Sequence, residues 1–257
     1  MIGSCKFPVA VAVALAVWAT IPDSAFAQVK VITSGGFAAP LREMLPAFEK
    51  STGISVEIIP GKSQGSGPDT IAAQLSRGVV ADVVILSREG LNDLISANRI
   101  VAHSDIDLAK TPIGLSVRAG APRPDISTVD GFKNTLLHAK SITFPSSTTG
   151  IYMTTKLLPQ LGIAGEVLPK SSNAGVAAVA KGDTEIAIQP VSELLHVPGT
   201  DFVGTLPPEI QYISVFSAAL VAGPERNSEA KKLIIFLDSA EAKTAIRNSG
   251  MEPLTPR

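Results

Sequence analysis

The amino-acid sequence predicts an α/β fold. Apolar runs of strand length alternate with amphipathic segments of helical length, which is the pattern of a sheet covered by helices. Residues 83–86 are apolar at every position and indicate a parallel strand buried on both faces. Polar loops follow several of the predicted strands, at the end of the sheet where ligands bind in such folds. We therefore expect a ligand site at the carboxyl ends of these strands.

The N-terminal segment, residues 1–27, has the features of a secretory signal peptide. Lys6 gives the region before the apolar stretch a positive charge, and residues 7–21 are mostly apolar. Ala25 and Ala27 are the small residues of a cleavage site. The apolar stretch is about 15 residues long, which is shorter than the roughly 20 that a membrane span needs. We expect cleavage after Ala27 and a periplasmic protein.

The first part of the expected mature chain alternates between strands and helices. The first helix is predicted from Pro40, Leu41, Met44, Leu45 and Phe48, which recur at helical spacing. The other predicted helices are 70–77 and 90–98, and the predicted strands are 29–32, 55–59, 82–86 and 111–117.

The loop 119–125 contains Gly120, Pro122 and Pro124 and is interpreted as a boundary before a second α/β block. That block has predicted strands at 141–144 and 185–188 and helices at 151–161 and 175–183. A strand at 211–220 is expected to return the chain to the first block. The final helices, 228–237 and 239–248, are expected to pack on the first block.

Composition excludes several classes of site. The single cysteine, Cys5, lies in the predicted signal peptide, so the mature chain is expected to lack disulfides, thiolate nucleophiles and cysteine metal ligands. The formal net charge of −1 comes without a basic block, which makes nucleic acid a poor partner. About 230 mature residues suffice for one large or two modest domains.

Four polar loops follow predicted strands, at 33–36, 61–69, 146–150 and 171–175. The first and third run directly into helices, whose N-terminal N–H groups and dipoles favour bound anions. An ordinary capped turn is the alternative for each loop. The hydroxyl density of 146–150 exceeds what capping requires, and Lys62 is the one cation in the four loops.

Familiar catalytic patterns are missing. His103, His138 and His196 are scattered without metal-ligand spacing, there is no GxSxG motif, and the Lys62 loop lacks the order of a phosphate-binding P-loop. Asp69 and Asp82 are interpreted as structural residues. We expect no metal and no cofactor.

The chain resembles the periplasmic molybdate-binding proteins of the type II solute-binding fold. The resemblance spans nearly the whole mature chain and is carried by Ala81–Ser87, by Thr149–Tyr152 ahead of 157–162, and by the helix 175–183 leading to 186–188. It implies two α/β lobes that close on a ligand by a hinge. It also implies a first lobe of 28–110 plus 217–257 and a second of 111–216, with crossings near 109–114 and 211–216.

The loops depart from the molybdate pattern. Thr33-Ser34-Gly35-Gly36 replaces an alanine and serine pair, 62–68 replaces a serine run, and Gln189 stands where that family has tyrosine. These changes favour a larger ligand that bears carboxylates. In this respect the chain is similar to a divergent branch, the aconitate isomerases, which implies an allylic proton shift between trans- and cis-aconitate without metal or redox cofactor.

The resemblance implies a set of site residues. Lys62 and Tyr152 are candidate proton carriers, although Tyr152 is equally well explained as a core helix residue. The alternative function is a non-catalytic binding protein that delivers molybdate or another small anion to the membrane subunits of an ABC importer. In either case we expect a monomer with a small anionic ligand. The candidate ligand-binding residues are Thr33, Ser34, Gly35, Gly36, Lys62, Ser66, Ser87, Ser147, Thr149, Asn173 and Gln189.

Overall fold

The computed structural model describes residues 28–223 and 228–255. The predicted signal peptide, 1–27, lies outside the described residues. The ten strands of the described part are β1 (Gln28–Ser34), β2 (Ser55–Gly61), β3 (Val83–Ser87), β4 (Ile106–Arg118), β5 (Ile142–Thr143), β6 (Ser171–Ser172), β7 (Ile186–Pro190), β8 (Thr200–Thr205), β9 (Ile213–Leu220) and β10 (Glu252–Pro253).

Helices cover these strands. Short connecting turns are π at Met153–Leu157 and 3-10 at Leu168–Lys170 and Pro208–Ile210. The α-helices are α1 (Gly35–Thr52), α2 (Ile71–Ser76), α3 (Arg88–Ser96), α4 (Val129–His138), α5 (Thr148–Tyr152), α6 (Leu158–Leu161), α7 (Ala164–Val167), α8 (Val176–Lys181), α9 (Val191–Leu194), α10 (Ser228–Phe236) and α11 (Ala240–Asn248).

The strands form one curled sheet that builds two lobes. We call the part built on β1, β2, β3, β9 and β10 the first lobe, and the part built on β5 to β8 the second lobe. In the first, β1 lies between β2 and β3 and is parallel to both, while β9 runs antiparallel to β3. In the second, β5 is parallel to β6 and β7. The predicted α/β class and two-lobed fold are confirmed.

Strand β4 connects the lobes. Its residues 106–112 pair with β9, whereas 113–118 pair with β7 and β8. Where the partner changes, the side-chain amide of Gln211 accepts a hydrogen bond from the Ile113 N–H at 2.8 Å and donates one to the Ile113 carbonyl at 3.0 Å. At the crossing, the Gln211 side chain therefore bonds to the backbone of Ile113 as a neighbouring strand would. The lobe bounds implied by the resemblance stay a prediction.

Each lobe has its own hydrophobic core. Helix α1 is amphipathic and buries Phe37, Leu41 and Phe48 against β1 and β3, together with Leu233 of α10 and Ile246 of α11. The final helices thus pack on the first lobe, as predicted. The second core includes Phe132 and Leu136 of α4, Leu157 of the π turn and Ile188 of β7.

Some elements differ from the prediction. The loop expected at 33–36 is divided between β1, which ends at Ser34, and α1, which begins at Gly35. The helix predicted at 151–161 begins at Thr148 and contains the π turn. Helix α4 and strand β8 were not predicted from the sequence.

Candidate functional site

A cavity of about 290 Å³ lies between the lobes. It is lined at the carboxyl ends of parallel strands, by Ser34 of β1, Gly61 of β2, Ser87 of β3 and Gln189 of β7. Ligands bind at this end of open α/β sheets because the loops there converge. The volume is at the lower end of the range for ligand pockets, which suits a small molecule.

Five helices begin at the cavity. The residues that precede their first turns all line it, and they are Ser34 before α1, Ser87 before α3, Ser147 before α5, Gly175 before α8 and Pro190 before α9. Each helix start presents N–H groups that lack a partner within the helix, together with the positive end of the helix dipole. The convergence makes the cavity favourable for an anion.

Two of the three serines among these residues differ in their hydrogen bonds. Ser87 accepts a hydrogen bond from the Gly90 N–H at 3.3 Å and caps its helix. Ser34 makes no capping bond, and its buried Oγ has no hydrogen-bond partner among the residues that the structure describes. Because buried hydroxyls are usually paired, the Ser34 hydroxyl is available for a ligand.

The two lobes touch across the cavity. The Lys62 ammonium donates to Ser146 Oγ at 3.1 Å, and Thr148 Oγ1 lies 3.0 Å from Ser87 Oγ. Gly65 has φ of +98°, and a Cβ there would lie only 2.4 Å from the Ser146 carbonyl oxygen. Only glycine allows this approach, which brings the Lys62 loop against the hydroxyl-rich loop of the second lobe.

Lys62 lines the cavity and also forms an ion pair. Its Nζ lies 2.8 Å from Asp69 Oδ2, and the side chain is 32% exposed. The hydrogen bond from Lys62 lowers the pKa of Asp69 below its ordinary value. Lys62 thus brings a positive charge to the cavity while already bonded to two side chains.

Glu193 is the acidic residue of the cavity lining, and sequence reasoning missed it. It lies in the four-residue helix α9, and its side chain is only partly exposed. A methyl group added at Gly35 would lie 3.1 Å from Glu193 Oε2, so the carboxyl group is close to the first residue of α1. Among the described residues, no hydrogen bond or ion pair to the Glu193 side chain is present.

Burial raises the pKa of Glu193 from its ordinary 4.5 to about 7. Helix α1 and strands β4, β7 and β8 pack against α9, and none of their charged groups contributes to this shift. Those groups are Arg42, Glu43, Glu49, Lys50, Asp107, Lys110, Arg118 and Asp201. A carboxyl group with a pKa near neutrality in a cavity is a typical functional group.

Most of the predicted ligand-binding residues meet at this cavity. Thr33 and Ser66 do not line it, and the Thr33 hydroxyl bonds instead to the Ser34 carbonyl at 3.3 Å. The predicted residues that line it are Ser34, Gly35, Gly36, Lys62, Ser87, Ser147, Thr149, Asn173 and Gln189.

Tyr152 lies outside the cavity lining. Its hydroxyl donates to the Ile210 carbonyl at 2.9 Å, and its ring stacks on that of Tyr212 with 5.0 Å between centroids. Burial raises its pKa above the ordinary value. The Tyr212 hydroxyl in turn bonds to Glu89 of the first lobe at 2.5 Å, so these tyrosines connect the lobes.

Other lining residues also escaped prediction. Phe216 of β9 lies over the start of α1, where a Cβ at Gly36 would come 2.1 Å from its Cζ, so a larger residue at position 36 would displace the Phe216 ring. Ser63 belongs to no motif in the sequence. Its Oγ accepts a hydrogen bond from the Ser87 N–H at 2.9 Å.

Within 28–223 and 228–255, no three His, Cys, Asp or Glu side chains are grouped to hold a metal ion.

The fold and the cavity between the lobes are those of a two-lobed solute-binding protein. Residues 29–252 match the model of the bacterial extracellular solute-binding protein family. The chain belongs to this family.

No helix within the described ranges has both the length and the apolar character to cross a membrane.

Known proteins resemble this chain in sequence and in fold. An aconitate isomerase from Pseudomonas sp. is 35% identical over 228 residues, which cover 87% of each chain. The periplasmic molybdate-binding protein of Azotobacter vinelandii has a TM-score of 0.70 at 17% identity, covering 89% of this chain and 100% of that one. A sulfate-binding protein of Mycobacterium tuberculosis has a TM-score of 0.67 at 16% identity, covering 90% and 88%. The two structures share the fold.

Proposed function

We propose that this protein is an enzyme that interconverts trans- and cis-aconitate. The observation that carries the proposal is the relation to an aconitate isomerase over 87% of the chain, at 35% identity. The cavity supports it, because five helix N-termini and several hydroxyls suit a ligand with more than one carboxylate.

The reaction is an allylic proton shift. Aconitate carries three carboxylates on a short chain with one C=C bond, and a methylene group next to that bond. Moving one proton from the methylene carbon to the far alkene carbon moves the double bond, and the new bond can be cis or trans. The protein must therefore hold the carboxylates in place and move one proton.

Both lobes contribute to carboxylate binding in this proposal. Ser34, Gly35 and Lys62 hold one end of the ligand from the first lobe, and Ser147 and Thr149 hold the other from the second. The Lys62 ammonium adds a positive charge to otherwise neutral donors. Such a charge-assisted bond is roughly twice as strong as a neutral one.

We also propose the cellular compartment and the oligomeric state of the enzyme. The enzyme is exported, its signal peptide is removed after Ala27, and it acts in the periplasm as a monomer. The extracellular character of the family supports export. The lobes close on the ligand around the crossing at β4, where Gln211 bonds to Ile113.

A second candidate function is transport. The family consists of solute-binding proteins, and molybdate- and sulfate-binding proteins share the fold. In this alternative the cavity holds a small anion without changing it and delivers it to the membrane subunits of an ABC importer. Lys62 would then serve only to bind.

Proton NMR of the purified protein mixed with trans-aconitate separates the two functions. The isomerase proposal predicts that the cis-aconitate resonances grow until equilibrium is reached, from either isomer. Absence of conversion, together with tight molybdate binding by calorimetry, would contradict it. The control is the same protein after heat denaturation, because trans-aconitate alone must remain unchanged.

A further inference from the structure

The cavity brings two titratable side chains together, and their surroundings differ. Lys62 is bonded to Asp69 at 2.8 Å and to Ser146 at 3.1 Å. Glu193, in the described part of the chain, has no polar partner at all. A carboxyl group opposes the binding of an anion, so its presence in an anion site calls for a role other than binding.

We propose that Glu193 is the acid–base group that removes the proton from the substrate methylene carbon and returns it to the far alkene carbon. The inference rests on the proposed function and names the residue that performs it. It also distinguishes this cavity from one that only binds.

The step conserves atoms and electrons. The Glu193 carboxylate takes a proton from the methylene carbon, and the electron pair of the broken C–H bond forms the new C=C bond. The electron pair of the old C=C bond then takes the proton from the carboxyl group at the far carbon. Negative charge spreads over the allyl unit and its carboxylates in between, where the helix N-termini stabilise it.

The position of Glu193 fits this role. The carboxyl group lies beside Gly35 at the start of α1, so a carboxylate held by that helix end is a direct neighbour. Gly35 has no side chain to come between the two. A pKa of about 7 allows the group to take and to give a proton at neutral pH.

The other candidates are less suitable. The Lys62 ammonium is bonded to Asp69, and in its charged form it has no lone pair with which to take a proton. Tyr152 lies outside the cavity lining, and its proton is donated to the Ile210 carbonyl. The hydroxyls of Ser34 and Ser147 are too weakly basic for the step without a partner base.

The test compares Glu193→Gln with the wild type and with Glu209→Gln, an exposed glutamate that does not line the cavity. Glutamine keeps the shape of the side chain but cannot take the proton. We expect kcat for trans-aconitate to fall by about 10²- to 10⁴-fold. The Kd for trans-aconitate, from calorimetry, should stay equal or decrease, because a negative charge is removed. Glu209→Gln should match the wild type.

Loss of affinity with unchanged kcat would overturn the proposal, as would a Glu193→Gln variant that isomerises at the wild-type rate. A wild type that does not isomerise aconitate would instead refute the proposed function. If Glu193→Gln does not fold, the pH profile of the wild type decides. It should rise with pH through about 7 and then level off, and a flat profile from pH 5 to 8 would overturn the assignment.

Discussion

The two faces of the cavity are built alike and differ in one respect. Each presents the ends of parallel strands, the starts of helices and serine hydroxyls, with Ser34 and Ser87 on one side and Ser147 on the other. The first-lobe face adds Lys62, a cation that is already paired. The second-lobe face adds Glu193, a carboxyl group without a polar partner among the described residues.

This difference distinguishes anion binding from proton transfer. Neutral donors and a paired lysine stabilise an anion whether or not it reacts, and they suffice for a transport protein. An unpaired carboxyl group weakens anion binding when it is ionised, and a pKa near neutrality suits it to exchange a proton. In the proposed reaction both faces bind the carboxylates, and the second-lobe face adds the group that moves the proton.

The largest expected effect is on stability, at Glu193. Because burial raises its pKa from 4.5 to about 7, ionisation of the carboxyl group destabilises the folded state. Glu193→Gln should not change the free energy of unfolding below about pH 4.5. The variant should gain stability between pH 4.5 and 7 and keep a gain of about 3 kcal/mol above that. Urea unfolding of the variant and the wild type at pH 4.5 and at pH 8 measures this gain. An equal difference in the free energy of unfolding at both pH values would contradict a raised pKa of Glu193.

The next effect tests the first-lobe face. Lys62→Ala should weaken trans-aconitate binding by about 30-fold, because a charge-assisted hydrogen bond in a closed cavity is lost. The rate constant kcat should change far less. Lys232→Ala removes an exposed lysine paired with Glu229 at 2.6 Å on α10 and serves as the control. Unchanged calorimetric affinity of Lys62→Ala would remove Lys62 from the site.

A smaller effect should appear where the two faces meet. Gly35→Ala places a methyl group 3.1 Å from Glu193 Oε2 and moves the carboxyl group from its position. Because proton transfer depends on geometry, we expect kcat to fall about tenfold. Gly165→Ala, where no atom lies within 4 Å of the added methyl, is the matched control. Equal kcat values for the two variants would mean that Glu193 does not act from beside α1.

The smallest effect concerns the serine hydroxyls. Ser34→Ala should weaken trans-aconitate binding by about fivefold, since one hydrogen bond is lost. It should leave the melting temperature unchanged, because the hydroxyl has no partner within 28–223 and 228–255. Ser239→Ala should do the reverse, because Ser239 accepts from the Ala242 N–H at 3.1 Å and caps α11. If Ser34→Ala instead lowers the melting temperature, its hydroxyl has a structural role.

The sequence predicted the fold and much of the cavity lining because both have local signals. Buried strands such as 83–86 and a run of hydroxyls before a helix are visible in a single stretch of chain. Helix α4 was missed because only Phe132 and Leu136 are buried along it, and β8 because its residues are half-exposed. These segments have no clear apolar period.

Glu193 could not be recognised in the same way. It lies in a helix of four residues, too short for any periodic pattern, and its environment is made by α1, far away in the sequence. Phe216 reaches the cavity only because β9 returns to the first lobe beside β3 and β4. The one available signal for Glu193 was its position just after β7, at the carboxyl end of a parallel strand.

Exchange of the substrate methylene hydrogens with solvent deuterium tests the central claim most directly. Proton NMR of trans-aconitate in D₂O with the wild-type protein should show loss of the methylene signal at a rate comparable with isomerisation, because a proton held on the partly exposed Glu193 carboxyl group exchanges with deuterium before the transfer to the far carbon. Glu193→Gln should bind trans-aconitate and leave that signal intact. Exchange by Glu193→Gln at the wild-type rate would contradict the assignment of proton transfer to the second-lobe face.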